Sequence, residues 1–309
     1  MIEVEGLTKF YGNFQALKGI SFTVEKGEIL GFLGPNGAGK TTTMRILTCF
    51  FPATGGKARV AGFDVFEDAM EVRKRLGYLP ENVPIYMDMV AEDYLKYAAG
   101  LKGVPAKELK VRVDKVMDEV GITHMKRKLV REMSKGYRQR LGLAQALVND
   151  PEVLILDEPT IGLDPKQIID IRKLIKDLSG RRTVILCTHI LPEVSMVCNK
   201  VVIINDGRLV AVDSTKNLTD SLQGSKRVTL KVDGPSADVS GAIKRISGVK
   251  SVEVLKSDGV PEYRVDFDKG RDSRAEIPVA VVGKGWKLLE MKSVEMSLED
   301  VFVKLVTRE

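Results

Sequence analysis

Three short stretches carry side chains whose types and spacing can do chemistry. The first is "GPNGAGKTT", residues 34–42, which fits the pattern G-x-x-x-x-G-K-[ST]. Gly34, Gly37 and Gly39 let backbone N–H groups turn inward around phosphate oxygens, with Pro35, Asn36 and Ala38 completing the loop. The helix expected to follow adds the positive end of its dipole. Lys40 would then reach the β- and γ-phosphates of a nucleotide. The Thr41 hydroxyl, with Thr42 beside it, would meet a Mg²⁺ ion. The second stretch, "VLILDEPT", ends an apolar run with Asp157 and Glu158. Strand ends in open α/β sheets are where ligands bind. Neighbours on a strand point opposite ways, so the two carboxylates need different tasks. Asp157 can hold a metal shell, and Glu158 can polarise an attacking water as general base. Taken alone, the pair also reads as solvated carboxylates capping the next element.

The third stretch is "MSKGYRQRLGLAQAL", residues 133–147. Ser134 is a good N-cap, and Leu141, Ala144 and Val148 recur at helical spacing. Yet Lys135, Arg138 and Arg140 crowd the first turns, where the macrodipole is already positive. Cations there cost roughly 0.3–1 kcal/mol each. A docked anion would resolve the conflict, and both nucleic acid and a nucleotide phosphate qualify.

The elements that must position these groups follow from hydrophobic pattern. Up to about residue 212, strand-like runs alternate with helical ones, as in an α/β domain. "EILGFLG" is a strand entering the glycine loop, followed by the helix "KTTTMRILTCF". "VLILD" and "TVILCTH" are short apolar runs typical of buried parallel strands. Residues 81–150 are helical in pattern and read as an insertion in the α/β core. The polar stretch 213–226 reads as a linker. Residues 227–309 have another rhythm. Val228, Leu230 and Val232 alternate, as do Val252 with Val254, and Tyr263, Val265 and Phe267. The pattern predicts β-α-β-β-α-β plus a helix, a small α+β domain of ferredoxin-like type. Ser297 and Asp300 suit a capping box for that last helix, and Leu298, Val301, Phe302 and Leu305 form its apolar stripe.

Composition narrows the class. The chain has 309 residues, 44% hydrophobic and 29% charged, which suits a soluble two-domain protein. A formal charge of +6 favours acidic surroundings, either a membrane face or nucleic acid. Cys49, Cys187 and Cys198 form no C-x-x-C, which argues for a reducing compartment and against a disulfide frame or zinc site. "MIEVEGLTKF" has no apolar signal core, and no run approaches the ~18 apolar residues of a membrane span.

The order of these pieces resembles the ATP-binding subunit of ABC transporters over residues 2–212. "GPNGAGKTT" resembles its Walker A and "VLILDEPT" its Walker B. "IGLDP", with Asp164, resembles the D-loop, and "ILCTHILPEV" places His189 at the switch histidine. Tyr11 falls where the family stacks an aromatic on adenine, a position that a core tyrosine would also suit. "MSKGYRQR" is similar to the signature motif LSGGQ, with Ser134 and Gly136 retained and Met133, Lys135 and Tyr137 replacing Leu, Gly and Gln. In the family this motif binds the γ-phosphate of ATP held by a second copy of the chain, packed head to tail. Glu81 stands where the family usually has the Gln of its Q-loop; a carboxylate there can ligate Mg²⁺ and would make metal loading matter more. Residues 83–90 match the place of contact with the membrane subunit, or serve as core of the helical insertion. "YLPEN", "SKGYRQRLGLAQAL" and "THILPEV" resemble ABC-2-type exporter ATPases, most of all the gliding-motility-associated and copper-maturation branches.

The resemblance implies a P-loop NTPase that uses ATP and Mg²⁺. It implies a sandwich dimer that drives a separate transmembrane permease, peripheral at the cytoplasmic face of the cell membrane, without specific nucleic acid. The rival is a non-transport ABC ATPase acting on the ribosome or on DNA. Against it, there is one cassette where translation relatives have two, and no heptad run between Lys40 and Asp157. A P-loop kinase would not explain the signature stretch. His124 has no site context and is expected to be a surface or packing residue.

Overall fold

The computed structural model describes residues 1–222, 227–256, 259–268, 273–294 and 298–306. The chain divides into two compact units, Met1–Thr215 with Phe302–Glu309, and Lys216–Val301. In the first unit a six-stranded sheet runs in the order Arg208–Ser214, Lys200–Asn205, Ile29–Leu33, Thr183–Cys187, Val153–Asp157, Leu76–Leu79. All neighbours are parallel except the antiparallel edge strand Arg208–Ser214. Every residue of Ile29–Leu33, Val153–Asp157 and Thr183–Cys187 is buried, which explains their unbroken apolar runs. A second, antiparallel sheet has the order Phe14–Val24, Ile2–Tyr11, Gly55–Val60, Phe63–Asp64. Leu7, Leu17, Phe32, Met44, Ile155 and Ile204 share one core, so both sheets and the helix Lys40–Leu47 close on it.

Between the strands Leu76–Leu79 and Val153–Asp157 the chain is helical: Ala91–Leu101, Leu109–Glu119, two short 3₁₀ turns and Lys135–Leu147. Leu141, Ala144 and Val148 are buried as the spacing required. Residues 83–90 are irregular; Val83 packs near Gly142, while Tyr86 and Met87 are exposed. His124 packs edge-on against Tyr137, with ring centroids 5.2 Å apart. Among the described residues no helix is long and apolar enough to cross a membrane.

The second unit holds an antiparallel sheet in the order Val249–Lys256, Glu262–Phe267, Arg227–Asp233, Lys287–Val294, with helices Ser236–Lys244 and Glu276–Val282 between strands. That order and connectivity are the ferredoxin-like arrangement. Val228, Leu230, Tyr263, Val265 and Phe267 alternate into a core closed by Val239, Ile243, Ile277 and Val281. One sequence expectation changes here. Of the polar stretch 213–226 read as a linker, the described residues end a strand at Ser214 and form a helix over Thr215–Leu222, because Leu218 is buried rather than solvated; residues 223–226 lie outside the described residues. The helix Leu298–Val306 forms and buries Leu298 and Val301, while Ser297 lies outside the described residues.

Candidate nucleotide site

The glycine loop joins the buried strand Ile29–Leu33 to the helix Lys40–Leu47. Gly39 caps that helix with a left-handed φ of 106°, and a Cβ there would sit 2.9 Å from the Ala16 carbonyl oxygen. No other residue type fits, so the loop is held in the cradle shape. Asn36 and Gly37 are exposed at its tip, Pro35 is half-buried, and Gly34 and Ala38 are buried beneath. Lys40 is buried and donates from Nζ to the Gly34 oxygen at 2.7 Å and the Pro35 oxygen at 3.2 Å. An ammonium has three protons, so one donor is left for a phosphate oxygen. Thr41 is exposed at the helix start and Thr42 half-buried.

The strand Val153–Asp157 ends at Asp157 rather than carrying both acids. Glu158 takes a left-handed φ of 50°, so the turn, and not strand alternation, separates the two carboxylates. Such backbone costs about 1–3 kcal/mol and is concentrated at functional sites. Glu158 Oε1 accepts from the His189 backbone N–H at 3.0 Å and contacts His189 Nδ1 at 2.7 Å; Oε2 accepts from the Thr188 hydroxyl at 3.2 Å. Burial raises the Asp157 carboxyl above its ordinary range. The Cys187 thiol, hydrogen-bonded to it, opposes the shift, the Glu158 and Glu81 carboxylates add to it, and Lys40 draws it down. Lys40, Glu81, Asp157 and Glu158 therefore share one electrostatic neighbourhood, although Glu81 itself is exposed.

The donors there suit a hard divalent cation. Thr41, Glu81 and Asp157 offer only oxygen, and among the described residues no lysine or arginine forms an ion pair with buried Asp157. Among the described residues no group of three His, Cys, Asp or Glu side chains could hold a metal alone. Asp157 and Glu81 would supply the one or two carboxylates that Mg²⁺ takes, with phosphates and water completing its shell.

Behind Glu158 lies a cluster that the sequence reading missed. Glu193 is 1% exposed and accepts from Thr160, Thr188 and Arg172. The only sequence signal was a carboxylate in the mostly apolar "ILPEV".

Ser134 caps the helix Lys135–Leu147, its hydroxyl accepting from the Tyr137 N–H at 3.4 Å. The basic residues around it separate. Arg140 pairs with Asp170 at 2.8 Å and donates to the Val120 oxygen, so its conflict with the dipole is relieved within the chain and needs no outside anion. Arg138 lies against the Met87 sulfur. Lys135 is exposed, its ammonium over Gly162, where a Cβ would come within 1.9 Å of Nζ. Gln167 covers Gly136 in the same close way. Asp164 caps the next helix, Pro165–Asp177, accepting from the Gln167 N–H at 2.9 Å. Tyr11 is exposed at the end of its strand, edge-on to Phe51.

The family model described as ABC transporter matches residues 17–161. The chain is 34% identical over 311 residues to the bacitracin transport ATP-binding protein BcrA of Bacillus licheniformis, covering 99% of this chain and 97% of that one. It is 30% identical over 311 residues to the linearmycin resistance ATP-binding protein LnrL of Bacillus subtilis, covering 100% and 99%. A solved ATP-binding subunit of an ABC transporter matches with a TM-score of 0.66 and 26% identity, over 72% of this chain and 92% of that chain. The dimeric cassette MJ0796 bound to ADP and Pi shares the fold at 23% identity, with a TM-score of 0.64, over 69% and 98%. The chain belongs to the ABC transporter family, as one of its ATP-binding, ATP-hydrolysing subunits.

Proposed function

We propose that this ATPase works as a head-to-tail dimer of two copies, peripheral at the cytoplasmic face of the cell membrane, and drives export through a separate permease. The glycine loop that holds buried Lys40, with Glu158 held by His189 and Thr188 next to buried Asp157, carries the reading of the site. Residues 34–42 cradle the phosphates of ATP, and Lys40 gives its third donor to them. Thr41, Asp157 and Glu81 would hold Mg²⁺. Held by these residues, it would supply neutralisation of the phosphate charge. Glu158, oriented by His189 and Thr188, accepts the proton of the attacking water. His189 contacts Glu158 through Nδ1, and we place it as the residue that senses the γ-phosphate. Tyr11 stacks on the adenine. Ser134 and Gly136, at the start of a helix, with Asp164 across from them, meet the nucleotide of the other copy.

Export is supported by the relatives, one named for bacitracin transport and one for linearmycin resistance. The test is Glu158→Gln. It should bind ATP, lose about 10²-fold or more of its turnover, and accumulate as a closed dimer in size-exclusion chromatography with ATP. Full turnover in that variant would overturn the assignment of the base.

A further inference from the structure

Glu193 is buried, yet its carboxylate touches three donors from three parts of the first unit. Oε1 accepts from the Thr160 hydroxyl at 2.5 Å and from Arg172 at 3.3 Å; Oε2 lies 3.3 Å from the Thr188 hydroxyl. That same hydroxyl lies 3.2 Å from Glu158 Oε2, while accepting from the Ile190 N–H at 3.1 Å. A hydroxyl has one proton, so Thr188 can satisfy Glu158 or Glu193 but not both at full strength. Thr160 and Arg172 already supply Glu193, which leaves the Thr188 proton to Glu158. Arg172 rides on the helix Pro165–Asp177, whose cap is Asp164 and whose Gln167 lies on Gly136. The elements proposed to meet the second copy's nucleotide are thus wired to the base that acts on this copy's own.

We propose that Glu193 is a positioning residue: through the shared Thr188 hydroxyl it ties the Asp164-capped helix to Glu158 and sets when that carboxylate is aimed at water. This rests on the reading of Glu158 as the base. Shifting the helix withdraws Arg172, Glu193 then claims the Thr188 proton, and Glu158 loses one of its orienting donors. A purely structural ion pair between Arg172 and Glu193 would leave turnover chemistry untouched once the protein is folded.

The experiment uses the full chain and five variants: Glu158→Gln, Arg172→Gln, Arg172→Gln combined with Glu193→Gln, Thr188→Val and Thr188→Ser. Glu158→Gln is the control for the underlying reading, since full turnover there removes the base itself, whatever Glu193 does. With that control inactive, Arg172→Gln, which leaves Glu193 to claim the Thr188 proton, should lower kcat about tenfold or more and leave KM for ATP within about twofold, because only orientation in the reacting state is lost. Adding Glu193→Gln removes the competing acceptor and should recover most of that kcat. Thr188→Val should be as slow as Arg172→Gln, and Thr188→Ser, which restores the hydroxyl, should recover wild-type kcat. Thermal melting accompanies each variant; if Arg172→Gln melts early, the Thr188 pair decides. Wild-type kcat in a folded Arg172→Gln, no recovery in the combined variant, or a Thr188→Ser as impaired as Thr188→Val, overturns the proposal.

Discussion

Glu158 occupies a backbone region that a glutamate enters only at a cost, and three donors hold it there. Its neighbour Asp157 is the opposite case, a regular strand end whose difficulty is electrostatic. Burial and the nearby Glu158 and Glu81 carboxylates disfavour its charge, and a divalent cation reverses that balance. Glu81 therefore adds repulsion without metal and attraction with it. Replacing it, as Glu81→Gln, should shift the Mg²⁺ concentration for half-maximal hydrolysis by about threefold or more while sparing nucleotide binding without metal. Titration of ATPase rate against Mg²⁺ reads this directly, and an unchanged curve removes Glu81 from the metal shell. Lys40 and the glycines were legible from spacing alone because the phosphate loop is local backbone chemistry. Glu193, Thr188, Thr160 and Arg172 were not, because their contacts span up to 33 residues of chain.

At the scale of elements, the helix Lys135–Leu147 shows how one start can serve two purposes. Its cap Ser134 and its buried face Leu141, Ala144 and Val148 follow from sequence. Its basic first turns look alike in sequence, yet Arg140 is held by Asp170 while Lys135 stays exposed. Ser134→Arg should place a bulky cation at the face meant for the second copy. ATP affinity of the single chain should remain, and ATP-driven dimerisation, measured by light scattering in a Glu158→Gln background, should be lost. The helix Ala91–Leu101 carries a different burden at its C-cap. Burial pushes the Lys102 ammonium down to about 8, with Asn149 Oδ1 as its partner at 3.1 Å. From about pH 8 up to the unfolded value of 10.5 the unfolded chain holds a proton that the folded chain has released, so stability rises with pH across that window. Below it the full penalty is present. Lys102→Met should therefore raise stability at neutral pH and flatten that dependence, as denaturant titrations below and above the window would show.

At the scale of the molecule, two units each carry a separate core. The ferredoxin-like unit buries Tyr263 completely, and among the described residues its hydroxyl has no hydrogen-bond partner. An unsatisfied buried hydroxyl costs about 1–3 kcal/mol, so Tyr263→Phe should raise the melting transition of that unit by a few degrees. Ile155→Ala, in the core of the first unit, should lower the other transition and leave this one in place. Calorimetry in which both variants moved one shared transition would contradict two separate cores.

The sequence by itself determined the phosphate loop, the buried parallel strands, the helical insertion, the β-α-β-β-α-β rhythm and the carboxylate pair. Each rests on patterns local to single elements, where hydrophobic period and glycine backbone preference decide conformation. Tertiary structure alone decided which cations are already paired, that Leu218 turns a polar stretch into a helix, and that a buried Glu193 reaches Glu158 through Thr188. Those outcomes depend on burial and on donors brought together by the sheet order, and a one-dimensional pattern holds no record of either.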